Sequence, residues 1–440
     1  MKIETLKKSH LKRNIIIGVI VVLIISAIIL NFTKAKYRVT QSIPLVNGTI
    51  NYSPFDFKMV AMYQENETGE YESINQVPTS GFILNTEESY CEVNGEKDSK
   101  IKIEYINGQI NFLGMITKGT KCYLYFDKVS GMTISEILAN KTISTRTNFS
   151  VPLTEDTTGI IYQAEDNDGI TYYFAGNPTD NWIQFAGFYW RIIRINGDGS
   201  VRIIYQGSNA NTTGQETQIG ESLFNSTDDR NNAYVGFKYN VGEVYGTSTS
   251  STIKIMLDDW YSNNLVDYIS LIDENAGFCG DRTPSTSNTT SNGQGGTGTT
   301  YTYYGALLRL YNGYSSANAS PTFKCANEND LYTVLKSNKG NRALTVPIGL
   351  ITADEMAFAG GVNDKVNTNY YLYTGEFYWT MSPAAYTGGY SEMFIVKANY
   401  VNTNGYIYQS RGVRPVINLR ADVTISSGVG TASNPYVVAT

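Results

Sequence analysis

The stretch FYWRIIRINGDGSVRIIYQG, residues 188–207, decides the fold class. Two runs of aromatic and β-branched residues flank an Asn-Gly-Asp-Gly segment, whose residue types favour the tight turn of a β-hairpin. A second unit, IIYQAEDNDGITYYFAG, begins at Ile160 and repeats the pattern around Asp168-Gly169. Its DNDG segment also resembles part of a calcium loop, but it lacks the other ligands at their fixed offsets. The sequence therefore predicts a domain built from hairpins.

Two helices interrupt this β-rich region. Ile253, Met256, Leu257 and Trp260 follow helical spacing and predict the core face of an amphipathic helix. In LITADEMAFAGG, Thr352 and Glu355 match a capping box, and Gly360–Gly361 predicts the helix end. The polar segment 281–300 has little to bury and is typical of a surface loop.

The preceding region, residues 37–128, alternates short apolar runs with turn clusters and predicts a β-sandwich domain. Within it, Asn107-Gly108 favours a type I′ hairpin turn. Residues 129–158 predict a short helix, capped by Thr133 and Glu136, and a polar linker. The main C-terminal domain then spans 159–420, and 421–440 predict a β tail.

The first 32 residues predict a membrane anchor. Residues 14–32 are almost wholly apolar, and an 18-residue helix of this kind measures about 27 Å, enough to cross the hydrocarbon core. Five basic residues in the tail 1–13 favour a cytoplasmic N-terminus. The alternative, a cleaved signal peptide, would usually end at small residues, and no A-x-A site follows. We expect a single-pass plasma-membrane protein with its C-terminal bulk outside the cell.

Charge and cysteine content agree with an exterior location. The chain has a net charge of −6, and the tail holds five basic residues and one acidic residue, so the remainder carries −10. This acidity argues against binding to nucleic acid. Four cysteines in an oxidising compartment predict two disulfides, for which three connectivities exist. Local pairing, Cys91 with Cys122 and Cys279 with Cys325, keeps each bridge inside one predicted domain.

Histidine is almost absent, and this limits the possible chemistry. The only histidine is His10, in the predicted cytoplasmic tail. The exterior therefore cannot hold a Ser-His-Asp triad, a Cys-His pair or a histidine-ligated zinc. No phosphate-binding G-x-x-x-x-G-K-[ST] loop occurs. We expect no metal and no cofactor, and only carboxylate chemistry remains for an enzyme.

Four motifs of the C-terminal domain carry a resemblance. AGFYWRIIRINGDGSVRIIY, GLITADEMAFAGG, YWTMSP and GVRPVINL occur in this order across roughly 159–420. The array resembles an uncharacterised cell-surface domain of low-GC gut bacteria, which is similar to the formylglycine-generating-enzyme branch of the C-type-lectin fold. The resemblance implies an α+β lectin-like domain.

The chain departs from the chemistry of those families. The oxidases use a close, copper-loaded cysteine pair late in the domain, whereas no cysteine follows Cys325 here. The calcium-dependent sugar motifs of C-type lectins, E-P-N or Q-P-D with W-N-D, are also missing. We therefore expect a shared fold without either activity.

The stretch EFYWTMSPAAY, residues 376–386, supplies the candidate site. One interpretation, which we favour, makes Trp379 and Arg414 interior parts, with the guanidinium bridging a carboxylate or strand carbonyls. The other makes the stretch a ligand-binding wall, because tyrosine and tryptophan offer large contact area at low entropic cost. The candidate ligand-binding residues are Tyr378, Trp379, Tyr386, Tyr390, Arg411 and Arg414.

These features together predict a membrane-anchored surface protein. Its partners would be the lipid bilayer, through the N-terminal helix, and an extracellular glycan or protein bound by a non-catalytic domain. One alternative is a carboxylate-based glycan hydrolase, which would need two inward-facing carboxylates about 5–10 Å apart. The other is a structural envelope protein without a dedicated ligand.

Overall fold

The computed structural model describes residues 59–440, except 67, 79–80, 107–108, 115–118, 227–229, 287–294 and 398–400. The predicted tail and anchor, 1–13 and 14–32, lie outside the described residues. Among the residues that are described, no helix is long and apolar enough to span a bilayer. This part of the chain is mostly β-sheet with few helices, which confirms the β-rich class.

Eight strands fill the region before residue 129. They are β1 (Met59–Glu65), β2 (Tyr71–Ile74), β3 (Phe82–Leu84), β4 (Tyr90–Val93), β5 (Glu96–Lys97), β6 (Lys102–Ile106), β7 (Gln109–Leu113) and β8 (Thr120–Lys128). Six of them form a sheet in the order β2-β1-β8-β4-β5, with β3 also paired to β8. Strands β6 and β7 pair antiparallel on either side of the predicted Asn-Gly turn, which itself lies outside the described residues.

One face of this sheet is apolar and covered. Leu124 and Phe126 of β8 are buried with Met62 of β1, and Ile103 and Phe112 of the β6–β7 hairpin pack against them. Because side chains alternate along a strand, the residues between these core positions point to the opposite face. The disulfide Cys91–Cys122 joins directly paired residues of β4 and β8, which confirms the predicted local pairing.

The remaining elements form the larger part of the molecule. The helices are α1 (Ile134–Leu138), α2 (Thr252–Asn264), α3 (Gly305–Leu310) and α4 (Ala353–Ala359). The strands are β9 (Thr142–Ser144), β10 (Ile160–Glu165), β11 (Ile170–Tyr173), β12 (Trp182–Phe185), β13 (Phe188–Ile195), β14 (Val201–Gly207), β15 (Glu221–Ser222), β16 (Lys238–Tyr239), β17 (Thr249–Ser250), β18 (Phe278–Cys279), β19 (Thr302–Tyr303), β20 (Leu331–Tyr332), β21 (Tyr378–Tyr386), β22 (Ser391–Val396), β23 (Val401–Tyr406), β24 (Arg411–Gly412), β25 (Val416–Leu419), β26 (Ile425–Ser427) and β27 (Tyr436–Val438).

Local chemistry explains the helix boundaries. Thr133 and Glu136 form the predicted capping box at α1, and Thr352 and Glu355 form the one at α4. In each box the threonine side chain accepts a hydrogen bond from the glutamate backbone, and the glutamate accepts one in return. Gly360 ends α4 with a φ of 123°, a conformation that favours glycine.

Nine strands form the first large sheet of this part. Its order is β26-β27-β12-β13-β11-β10-β9, with β14 between β13 and β25. Strand β9 lies in the segment predicted as a polar linker, and that prediction was wrong for Thr142–Ser144. The backbone of these three residues pairs in parallel with β10. This pairing satisfies their backbone N–H and C=O groups, which the polarity of the side chains does not predict. The predicted tail adds β26 and β27 to the same sheet.

The second large sheet contains the candidate stretch. Its order is β15-β24-β21-β22-β23, and β19 also pairs with β21. All nine residues of β21 are buried, and its Pro383 lies between two register shifts against β22, as expected for proline inside a sheet. The disulfide Cys279–Cys325, the second predicted pair, is also present.

Candidate functional site

The first two candidate residues, Tyr378 and Trp379, are interior. Tyr378 is fully buried and donates a hydrogen bond from its hydroxyl to the carbonyl of Leu372 at 2.8 Å. Trp379 is also fully buried, and its Nε1 donates to the carbonyl of Ser222 at 2.8 Å. Both side chains therefore belong to the core of the second large sheet.

Arg414 has the interior role that the sequence favoured. Its guanidinium donates to the carbonyl of Tyr205 at 3.0 Å, to Oε1 of Gln206 at 2.6 Å and to the carbonyl of Leu372 at 3.3 Å. It also lies over the ring of Tyr378, 4.9 Å from the centroid. A buried arginine needs this number of acceptors, because an unpaired charge in the interior is strongly destabilising.

The alternative interpretation placed Tyr378 and Tyr386 on an exposed ligand-binding wall, and both are buried. Tyr386 is buried, and its hydroxyl donates to the carbonyl of Arg230 at 3.1 Å. Arg411 is half-buried and bonds its own loop, through the carbonyl of Ser410 and Oε1 of Gln409. The prediction was wrong for the two tyrosines because β21 is an inner strand with core packing on both faces, so alternation does not mark an exposed side.

Tyr390 is the candidate residue that lies open to solvent. Its side chain is 49% exposed, and it contacts Tyr406 and Tyr408, with ring centroids 5.4 and 6.4 Å away. The rings of Tyr406 and Tyr408 stack at 5.7 Å with an interplanar angle of 10°, and Tyr408 is 45% exposed. We call Tyr390, Tyr406 and Tyr408 the tyrosine cluster.

A carboxylate lies beneath the tyrosine cluster. Glu392 is paired with Tyr406 across β22 and β23, and burial raises the pKa of its carboxyl group. The negative charge of Glu392 in turn raises the pKa of Tyr406. The Thr387 hydroxyl donates to one oxygen of Glu392 at 2.8 Å. The cluster thus combines aromatic surface with hydroxyl groups and a hydrogen-bond acceptor.

A tight turn presents Tyr390. The β21–β22 hairpin turns at Gly388 and Gly389, whose φ values of 73° and 127° favour glycine. A side chain at Gly388 would lie 2.5 Å from the hydroxyl of Tyr301, another exposed tyrosine. The glycines therefore let the turn pack against Tyr301 while holding Tyr390 at the surface.

A cleft lined by charged side chains is the second notable feature, and the sequence did not predict it. Its cavity volume is about 70 Å³, and the disulfide Cys279–Cys325 forms part of its wall. Six acidic and five basic residues line it: Asp166, Asp168, Asp198, Asp281, Asp354, Glu355, Arg194, Arg202, Arg309, Lys324 and Lys339. We call it the ion-pair cleft.

Its floor is organised around Glu355 at the start of α4. Oε1 of Glu355 contacts Nε of Arg194 at 3.3 Å, and the same carboxylate pairs with Arg202. Burial alone would raise the pKa of Glu355, but the charges of Arg202 and Arg194 outweigh it, so its pKa lies below the ordinary value. Asp166 gives Arg194 a second carboxylate at 2.8 Å.

The wall of the ion-pair cleft is organised around Arg309. Its guanidinium makes a two-point contact with Asp354, at 2.9 and 2.6 Å, and also bonds Asp281. Asp281 has a positive φ of 54°, and burial raises its pKa to about 6. Near the mouth, Nζ of Lys339 bridges Asp168 and Asp198 at 2.8 and 3.0 Å.

One signal in the sequence could have revealed the floor. Arg194 and Arg202 face each other across the β13–β14 hairpin, in strands that are otherwise apolar. Two buried cations side by side require an anion, and the acids at the start of α4 supply it. Comparison with known proteins adds no further guide: no family model, no curated protein and no solved structure matches this chain.

Proposed function

We propose that this chain is a membrane-anchored surface protein whose lectin-like part recognises an extracellular glycan without catalysis. The observation that carries the proposal is the tyrosine cluster, in which two of three tyrosines are nearly half exposed. Burying a tyrosine ring against a ligand costs little entropy, and its hydroxyl can hydrogen-bond a sugar. The half-buried carboxylate of Glu392 offers a further acceptor.

The ion-pair cleft supports the non-catalytic part of the proposal. Each of its six carboxylates contacts an arginine or a lysine. Asp281 and Asp354 share the guanidinium of Arg309. A hydrolase needs one carboxylate free to protonate the leaving group and another free to act as base or nucleophile. Salt bridges to both make this arrangement better suited to holding the fold.

The binding role is tested with Tyr390→Ala and Tyr408→Ala in the full chain. We expect each variant to weaken binding on a glycan array about tenfold, since an aromatic anchor commonly contributes 1.4 kcal/mol or more. Both side chains are half exposed, so the free energy of unfolding should change by no more than about 0.5 kcal/mol. Tyr314→Ala, which removes a 67%-exposed tyrosine outside the cluster, is the control.

Three outcomes separate the candidates. Loss of glycan signal in both cluster variants but not in Tyr314→Ala supports the proposal. Binding to proteins alone on a parallel protein array would replace the glycan with a protein partner. Unchanged signal in both cluster variants would remove the tyrosine cluster as the site.

The location is tested by adding protease to intact cells. The predicted anchor 14–32 would put everything after it outside, and the two disulfides fit an oxidising compartment. We expect external protease to digest the C-terminal portion of the chain while a cytoplasmic marker protein survives. A chain that resists digestion in intact cells but is cut in the lysate would place this portion inside the cell.

A further inference from the structure

A second group of tyrosines lies on the sheet formed by residues 59–128. Tyr63, Tyr71, Tyr90, Tyr123 and Tyr125 occupy strands β1, β2, β4 and β8, which are neighbours in the order β2-β1-β8-β4. All five lie on the face opposite the apolar core. We call them the tyrosine face.

The tyrosines of this face contact each other across the strands. Tyr63 and Tyr125 are paired residues of β1 and β8, and their rings stack at 4.9 Å with an angle of 13°. Tyr90 and Tyr123 are paired residues of β4 and β8, and stack at 5.0 Å with an angle of 26°. Tyr71 meets Tyr125 edge-on at 5.0 Å. The centroid distances of 4.9 and 5.0 Å match the spacing of neighbouring strands, so the stacked rings stand up from the sheet.

The core does not use this surface. Leu124 and Phe126, which alternate with the tyrosines along β8, are fully buried beneath the β6–β7 hairpin. The tyrosine side chains are only partly covered, and Tyr71 is 37% exposed. The apolar core lies on the other face of the sheet and does not need these five tyrosines. A contiguous, partly exposed aromatic surface of this kind is characteristic of a binding site.

The charges around the tyrosine face indicate the class of ligand. Carboxylates and ammonium groups are interspersed: Glu92 lies 3.9 Å from Lys121 and accepts a hydrogen bond from Tyr123, and Asp127 accepts one from Tyr71. Lys97 covers the ring of Tyr90 at 4.0 Å. Glu65 and Glu88 add two further carboxylates, close enough to act on Tyr71 and Tyr125. The charge around the tyrosine face is therefore mainly negative and repels a polyanion. A neutral ligand avoids this repulsion.

The hydroxyls and the dimensions define the ligand further. In the described part of the chain, the hydroxyls of Tyr63, Tyr90 and Tyr125 have no hydrogen-bond partner, so they remain able to donate and accept. Four adjacent strands span about 15 Å, and the surface is an open sheet face. An extended chain rich in hydroxyl groups satisfies both features.

We infer that the tyrosine face binds a neutral polysaccharide chain, as a second contact surface separate from the tyrosine cluster. It does not depend on the proposed function of the cluster, because the two surfaces share no residue. If both surfaces bind one polymer, the second contact becomes intramolecular and the apparent affinity exceeds that of either site.

The test is native affinity electrophoresis of the full chain in mild detergent. Gels contain a neutral polysaccharide (xylan, glucomannan or β-1,3-glucan) or an anionic one (polygalacturonate). We expect retardation in at least one neutral gel and none in the anionic gel. Tyr63→Thr/Tyr125→Thr should raise the dissociation constant about tenfold, since it removes the central stacked pair from strands that threonine suits.

A second variant keeps the test valid if the threonine variant misfolds. Tyr63→Phe/Tyr125→Phe retains the stacked rings and removes both hydroxyls, and we expect the dissociation constant to rise about threefold or more. Tyr314→Thr is the control for a lost exposed tyrosine, and circular dichroism verifies folding. The inference would be overturned if the phenylalanine variant, and the threonine variant if it folds, were retarded as strongly as the wild type. Retardation of the wild type in the anionic gel alone, or in no gel, would also overturn it.

The same gels separate this inference from the proposed function. A Tyr390→Ala/Tyr408→Ala variant with unchanged retardation, beside a Tyr63→Phe/Tyr125→Phe variant with weaker retardation, supports the tyrosine face and shows that the cluster does not bind this polysaccharide. The reverse result contradicts the tyrosine face alone. Sedimentation velocity tests the other possible occupant of this face, a second copy of the chain. If the wild type is a dimer, the phenylalanine variant is a monomer and no polysaccharide retards either, the tyrosine face is a contact between two copies.

Discussion

The Glu355→Gln variant is expected to lose about 3–5 kcal/mol of its free energy of unfolding. Glu355 is fully enclosed and neutralises Arg202, which is also buried, together with Arg194. Glutamine keeps the shape but removes the negative charge, so Arg202 stays in the interior without its anion. Urea denaturation followed by tryptophan fluorescence measures the loss.

Glu165→Gln is the matched control for this change. Glu165 forms an ion pair with Lys324 at 2.8 Å, but its side chain is 69% exposed. Solvent screens such a pair, and we expect a change below about 1 kcal/mol. Equal losses in the two variants would mean that Glu355 is solvated and that the ion-pair cleft is not organised around it.

The pH dependence of the Glu355 variant gives an independent measurement of the same contact. The pKa of Glu355 is lower in the folded protein than in the unfolded chain, so its contribution is fully present above the unfolded-state pKa of about 4.3. That contribution is lost as the pH falls through the folded-state pKa. The difference in stability between wild type and Glu355→Gln should therefore narrow below about pH 4. A constant difference would contradict the depressed pKa.

The features that the sequence predicted correctly depend on neighbours close along the chain. Thr352 and Glu355 are three residues apart, and their capping box follows from backbone geometry alone. The turn at Asp166–Gly169 is likewise local: Oδ1 of Asp166 accepts hydrogen bonds from the backbone of Asp168 and Gly169. Such short-range hydrogen bonding can be predicted from the sequence without a tertiary structure.

The features that the sequence did not predict depend on distant partners. Asp354 lies in the first turn of α4, a position where the helix dipole favours an acid. It is nevertheless buried, because Arg309, 45 residues away in the chain, bonds it. Tyr386 reads equally well as surface or core, because its ring suits both and its hydroxyl needs only one acceptor. That acceptor is the carbonyl of Arg230, 156 residues away. The order of strands in the sheet therefore decides which tyrosines are exposed. The alternation of residues in a single sequence does not give this order.

The Trp379→Ala variant is expected to lose about 3–5 kcal/mol of unfolding free energy. Trp379 is fully buried, its ring meets Phe224 edge-on at 5.6 Å, and its Nε1 donates to Ser222. Alanine leaves a cavity and an unsatisfied carbonyl in a dense core. Phe377→Ala, two residues earlier, is the control because Phe377 is 38% exposed. It should lower the free energy of unfolding by about 1 kcal/mol or less. Similar costs in the two variants would mean that Trp379 is not enclosed.

Gly405 offers a way to probe the same contact from the other side. A methyl group at Gly405 would lie 2.5 Å from Cγ2 of Ile395, 2.8 Å from the carbonyl oxygen of Met393 and 2.9 Å from Cζ3 of Trp379. Gly405→Ala alone should therefore cost about 1–3 kcal/mol through overpacking. In the double variant the methyl group enters space that the indole has left, while the contact with Ile395 remains. We expect the double variant to cost about 1 kcal/mol less than the two single changes together. Strictly additive costs would assign the clash to Ile395 and the carbonyl of Met393, and would mean that the Trp379 ring does not reach β23.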